Sequence, residues 1–371
     1  MSTIKYSLSA TCSILAVLLT ACNGGGTTPS TQEIKYTTLN YPNAAIGSIT
    51  GITGIQQVSN SDNVYITGSY FESYNMGTLY EGPILGGGTY YTYMYPSSAG
   101  ATTSGTNLYS VDNSSVSGNV ILVGSYQTEE SGNTSFGFLY NGPIPSESSA
   151  WQPLNFPSSQ TPGHTAVLNT IPHSIMNDIV VGNYDTSDTA GNAFIYNIST
   201  NSYSTLIKPG SVLTTAYGVW WNGGTSYTIS GGYSNTSTTE LSLAFIVDYD
   251  SSTGALSNWM SYNYNNQPDG ITHFEGITSD GLGGYNLASS WLISGVLGSS
   301  FVNVSRNSNG KLNSAATWIN VSYPGSDTTT ADTVYKNYCL GVYSIPNIDQ
   351  TNGYVATIPT NWYFPYYYSN I

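Results

Sequence analysis

The chain has 371 residues, more than one ordinary core supports, so either two domains or one large repetitive fold is expected. Only 7% of residues are charged, and six Lys and Arg against 20 Asp and Glu give a formal charge of −14, which argues against binding nucleic acid or anionic membrane surfaces. Ser, Thr, Asn and Gly replace the missing charge, together with 33 Tyr, a mixture that suits strands joined by turns, while 39% hydrophobic content argues for a packed fold over disorder.

The N-terminus carries the most specific local signal. Lys5 precedes the apolar run Ile14-Leu15-Ala16-Val17-Leu18-Leu19, too short to span a bilayer, which reads as a signal peptide. It ends in Leu19-Thr20-Ala21-Cys22, a tetrapeptide that resembles the bacterial lipobox. That resemblance implies cleavage before Cys22 and lipidation of its thiol, so that residues 1–22 leave or become the anchor and the mature protein is tethered without spanning. Asn23 follows the cysteine where many inner-membrane lipoproteins of enteric type carry Asp, so outer-membrane placement is expected. Residues 23–33, NGGGTTPSTQE, read as a flexible spacer. Cys12 departs with the signal peptide, leaving Cys339 without a partner, and its apolar neighbours read it as a buried small hydrophobe.

The remainder, 34–371, is organised by an internal repeat. One strand recurs as YITGSY (65–70), ILVGSY (121–126), IVVGNY (179–184), TISGGY (228–233) and, degraded, NLASSW (286–291). A second strand follows each, as in FGFLYNGP from Phe136 and NAFIYNIS from Asn192. A third comes next, usually ending near a proline, as edge strands allow. A small-residue strand precedes each tyrosine motif, for example GSITGITG from Gly47, GHTAVLNT from Gly163 and AYGVWW from Ala216. Four short strands every 50 to 60 residues is the pattern of a β-propeller blade with the small-residue strand innermost. The lone N-terminal strand IKYTTLNYP (34–42) and the C-terminal segments 333–343, 354–359 and 362–368 predict a sixth blade closed by both chain ends. A β-sandwich or β-helix is the structural alternative. The repeat is similar to the HAF-type repeats of bacterial extracellular proteins, with ILVGSY followed by FGFLY the closest copy; it departs where Tyr80, Tyr140 and Tyr196 replace tryptophan and Ser289 replaces glycine. The resemblance implies an exported propeller and assigns no catalytic residue.

Chemistry is expected at the mouth of the axial channel. His164 and His273 are read as starting the inner strands of the third and fifth blades, and His273 and Glu275, two apart on one strand, form an acid/base pair, two metal ligands or polar groups of a wet channel, with Asp269 and Asp280 beside them. Asp248 to Gly254 reads as a calcium loop or, since its glycine is misplaced, as a turn with Asx hydrogen bonds. Tyr217, Trp220, Trp221 and the segment Trp362 to Tyr368 are candidate aromatic contacts or inter-blade packing. No nucleophile elbow or HExxH occurs. The expected function is a monomeric, cofactor-free module binding glycan or protein; a glycoside hydrolase and a passive envelope scaffold are the alternatives. The lipobox makes a direct prediction: labelled palmitate enters the wild-type protein in cells and does not enter the Cys22→Ala variant.

Overall fold

The computed structural model describes residues 33–71, 74–132, 134–235, 242–267 and 270–363. The signal peptide, Cys22, the spacer up to residue 32, Asp269 and residues 364–371 lie outside them. Among the described residues there is no α-helix; the chain is strands and short 3-10 turns. After β1 (Lys35–Thr38), antiparallel groups of four follow in chain order. The first is β2 (Ile49–Gln57), β3 (Val64–Phe71), β4 (Asn75–Gly82) and β5 (Thr89–Tyr93). The second is β6 (Thr103–Asn113), β7 (Asn119–Thr128), β8 (Phe136–Pro143) and β9 (Trp151–Pro153). The third is β10 (Val167–Met176), β11 (Ile179–Thr186), β12 (Asn192–Asn197) and β13 (Ser202–Leu206). The fourth is β14 (Ser211–Gly223), β15 (Ser226–Asn235), β16 (Ser242–Asp250) and β17 (Ala255–Tyr262), and the fifth is β18 (Ile271–Ser279), β19 (Tyr285–Ile293), β20 (Val296–Val304) and β21 (Thr317–Val321). In the last group an interrupted inner strand, β22 (Thr328–Thr329) and β23 (Thr333–Tyr335), pairs with β24 (Tyr338–Ser344), then β25 (Thr351–Thr357), then the N-terminal β1, with Lys35 opposite Thr357. Every inner strand contacts the inner strand of the next group, β23 and β2 included. This is a β-propeller-like all-β fold.

Two sequence expectations are corrected. The segment 333–343 spans a hairpin, β23 and β24, because Lys336 takes a positive φ of 52° that turns the chain; the three strands joined by β1 are therefore 328–335, 338–344 and 351–357. Trp362 does not begin a strand, since Thr360–Trp362 is a 3-10 turn after Pro359.

The groups are joined by one device repeated six times. A threonine near the start of each inner strand (Thr50, Thr106, Thr170, Thr214, Thr272, Thr329) is buried and lies opposite the aromatic of the repeat motif on the second strand (Tyr70, Tyr126, Tyr184, Tyr233, Trp291, Tyr343). Its Oγ1 accepts the backbone N–H of a residue that ends the preceding group's outer strand or follows it (Tyr41, Tyr95, Phe156, Lys208, Tyr264, Tyr323) at 2.9–3.3 Å. That residue lays its side chain on the motif aromatic: ring centroids are 3.6–4.3 Å apart and within 22° of parallel in five groups, and in the fourth Lys208 Nζ sits 4.1 Å over Tyr233. Five of the six donors precede proline, whose ring holds the residue before it extended. The prolines thus act past the strand edge, as spacers for a staple.

The motif glycine has a steric reason. A Cβ on Gly68, Gly124, Gly182, Gly231 or Gly341 would meet the carbonyl oxygen of the residue after, respectively, Thr50, Thr106, Thr170, Thr214 or Thr329 at 1.9–2.4 Å. In the fifth group Ser289 stands there and its Oγ donates to the corresponding carbonyl of His273 at 2.9 Å. Thr106→Val leaves the Tyr95 N–H without its acceptor and is expected to cost about 1–3 kcal/mol, whereas Lys208→Tyr restores the ring pair and is expected to stabilise by roughly 0.5–1.5 kcal/mol; urea unfolding midpoints check both.

Candidate functional site: the axial channel

Three residues after each staple threonine the inner strand bulges. Register shifts fall at Thr53, Tyr109, His173, Tyr217 and Glu275. In the last group Thr329 faces Tyr343 and Thr333 faces Leu340, four steps against three, which places Asp332 in the same role. A bulge re-aims one side chain, and the following residue is small in every group (Gly54, Ser110, Ser174, Gly218, Gly276, Thr333). These positions form an axial ring. The His173 ring lies 5.0 Å from Tyr109 and 4.3 Å from Tyr217, and Tyr217 meets His273 edge-on at 4.6 Å. His273 Nδ1 is 3.4 Å from a Glu275 carboxylate oxygen, and its Nε2 is 2.8 Å from Thr215 Oγ1. Asp332 accepts a 2.8 Å bond from Thr330 Oγ1.

Desolvation pushes the His173 imidazole down to about 3, with His273 adding to the effect, so His173 is neutral. The Asp332 carboxyl is pushed up to about 7 by the same desolvation, held back by the Thr330 bond and raised further by Glu275. The Tyr217 hydroxyl is raised by desolvation and then by Glu275. Both His173 and Asp332 retain partial surface, and His173 lines the axial cavity. The cavity beside the ring, lined by His173, Tyr217, Trp220, Glu275 and Tyr335 among others, has a volume of about 40 Å³. That holds roughly three waters and no sugar ring.

The sequence-predicted residues divide. Tyr217, Trp220 and Glu275 line this cavity, and His273 joins them through Glu275 and Tyr217. His164 does not belong: it sits exposed in the 3-10 turn Pro162–His164 with a positive φ of 55°, and the inner strand begins only at Val167. Trp221 is exposed on the other side of β14, its Nε1 donating to Gly224 O at 2.9 Å. Asp280 accepts the N–H groups of Leu282 and Gly284 in its own turn. Asp250 does the same for Ser252 and Thr253, and Asp248 is engaged by Arg306 and Asn258, so this segment is a turn whose carboxylates are occupied by protein. Cys339 is fully buried and its thiol is pushed far up. Among the described residues no group of three His, Cys, Asp or Glu is arranged to hold a metal ion.

His173, Tyr109 and Asp332 were missed from the sequence. A signal exists, Thr-x-x-x followed by Gly, Ser or Thr, but the threonine precedes its motif aromatic by 20, 20, 14, 19, 19 and 14 residues because the intervening hairpin varies.

Roomier grooves lie outside the axis. The largest described, about 490 Å³, runs between the fourth and fifth groups and is lined by Leu243, Ser261, Tyr262, Asn263, Asn265, Asn266, the 314–316 segment and Trp318. Two others measure about 280 and 340 Å³. Among the described residues no Asp, Glu, Lys, Arg or His lines any of the three.

No protein-family model matches the chain, and no curated protein matches it. Among solved structures it is similar to an α-L-arabinofuranosidase from Lactobacillus brevis (13% identity over 74% of this chain and 96% of that one, TM-score 0.43). It is also similar to levansucrase from Bacillus subtilis (9%, 85% and 93%, 0.39) and to YCF48 bound to D1 peptide (10%, 88% and 97%, 0.39).

The two buried titrations have opposite slopes. Asp332 keeps its proton above the ordinary carboxylate range, so it erodes stability as pH rises from about 4 to 7. His173 refuses its proton, so it erodes stability as pH falls from about 6.5 to 3. They oppose each other between about pH 4 and 6.5. Asp332→Asn is expected to leave only the histidine slope, with stability rising steadily with pH over that window, and His173→Gln the reverse, both read from urea midpoints against pH.

Proposed function

We propose that the protein is a lipid-anchored, cell-envelope β-propeller of six blades that recognises glycan through grooves between its blades. The observation that carries this reading is the separation of chemistry from room. The ionisable groups His173 and Glu275 line a 40 Å³ axial cavity, with Asp332 close enough to Glu275 to feel its charge, while among the described residues the grooves of 280–490 Å³ offer only hydroxyls, amides and aromatic or aliphatic surface. Glycoside hydrolysis needs two carboxylates about 5–10 Å apart flanking a bound sugar, whereas among the described residues Glu275 is the one carboxylate lining the axial cavity, and that cavity is too small for a sugar ring. Neutral, rigid aromatic and amide surfaces suit recognition.

The six antiparallel groups, the continuous circuit of inner-strand contacts and the inclusion of β1 in the last group support the closed six-bladed ring. The lipobox ending at Cys22 and the Asn after it support anchoring, with the outer membrane favoured. A glycan-array screen of the purified protein, with and without EDTA and with product masses recorded, tests the function. Selective, EDTA-insensitive binding with unchanged masses is the expected result. Cleaved product replaces this reading with a hydrolase, and silence across the array replaces it with a protein partner.

A further inference from the structure

The groove between the fourth and fifth groups coincides with the point where the repeat is least regular. Five staple residues are followed by proline, but Tyr264 is followed by Asn265 and Asn266, which take left-handed φ of 47° and 55°. Asparagine tolerates that region better than other non-glycine residues, yet two in succession are unusual. In the adjoining strand β19 the motif tyrosine is Trp291 and the motif glycine is Ser289. Local departures from an otherwise consistent repeat concentrate at functional positions.

The side chains brought together have one chemical character. Asn265 and Asn266 are exposed, and neither side chain is hydrogen-bonded to a described residue. Across the groove, the half-buried Trp318 indole is fixed edge-on to Tyr264 at 5.4 Å and against Phe274 at 6.0 Å. Tyr262 spends its hydroxyl on Asn313 O at 2.8 Å, and Ser261 Oγ accepts from Tyr233 at 2.9 Å, so the groove wall is braced from behind. A fixed aromatic plane beside two exposed amides suits a ligand with an apolar ring face and a girdle of hydroxyls. A carboxylated sugar would meet no cation among the described lining residues, in a chain of net charge −14.

We propose that this groove is a binding subsite for uncharged oligosaccharide, with Trp318 as the ring platform and Asn265 and Asn266 as the hydroxyl-reading amides. The proposal rests on the glycan-binding reading above and narrows it to one site and one ligand class. Its volume of about 490 Å³ lies within the usual range of ligand sites.

The test is calorimetric titration of the purified full chain with cello-, xylo-, arabino- and mannohexaose as neutral probes and hexagalacturonate as the acidic one. The expected result is binding of at least one neutral hexasaccharide, with hexagalacturonate about tenfold weaker or more. The double variant Asn265→Gly/Asn266→Gly keeps the left-handed backbone and removes both amides, so it is expected to unfold at the wild-type temperature and bind about tenfold more weakly. Ala315→Trp fills the groove from its exposed side and is expected to weaken binding similarly. Wild-type affinity in both folded variants overturns the subsite and leaves glycan binding intact, and preference for hexagalacturonate overturns the ligand class. If no neutral hexasaccharide binds, the proposal falls, and a silent glycan array takes the broader reading with it.

Discussion

The architecture depends on the threonine–aromatic staple between successive groups. Each four-stranded sheet satisfies its own inner ladders, yet its two faces are apolar and must be covered by neighbours. The staple fixes that neighbour relation with two contacts of different kinds. A backbone N–H that has left the outer strand finds an acceptor in Thr Oγ1, which removes the cost of burying it unpaired. The same residue's side chain then covers the motif aromatic, burying area and setting the lateral position. Because both contacts issue from one residue, the angle between groups is set locally at every junction. The fourth group shows what is essential: Lys208 keeps the hydrogen bond and covers the ring with a cation in place of a π-face.

Once inner strands are held this way, their bulges must point at the axis, and the identity of six bulged residues decides what the axis is. Here Tyr109, His173 and Tyr217 crowd one side of the ring, and Glu275 and Asp332 stand on the other. The ring fills its own channel. A desolvated carboxyl held near neutrality and an imidazole held neutral are the response of ionisable groups to a place that water barely reaches. Larger space lies outside the axis, most of all at the junction where Asn265 and Asn266 follow Tyr264 in place of the usual proline.

Much of the architecture was legible in the primary structure because a repeat broadcasts the same steric demand many times. The glycine of ILVGSY and its copies marks a close carbonyl approach that no Cβ survives, and the tyrosine two residues on marks the staple. Even the substitution at Ser289 is intelligible, since its hydroxyl bonds the carbonyl that glycine elsewhere merely clears. The last group was less legible: Lys336 turns the chain inside what reads as one apolar strand, and only the pairing of β23 with β24 separates them. His164 reads as an inner-strand residue because its neighbours are small, but the turn at Pro162–His164 delays β10 by several residues and brings His173 to the axis instead.

The sequence by itself determined the all-β class, the recurrence of four-strand units and the need for the N-terminal strand to complete the last of them. These rest on local chemistry: residue type, alternation and turn propensity act over a few positions and are written in order along the chain. The tertiary structure alone decided which side chains share the axis and which grooves remain open. Both depend on one-residue register shifts and on hairpins of unequal length, and a single inserted residue in a strand turns every later side chain to the opposite face without changing composition or pattern.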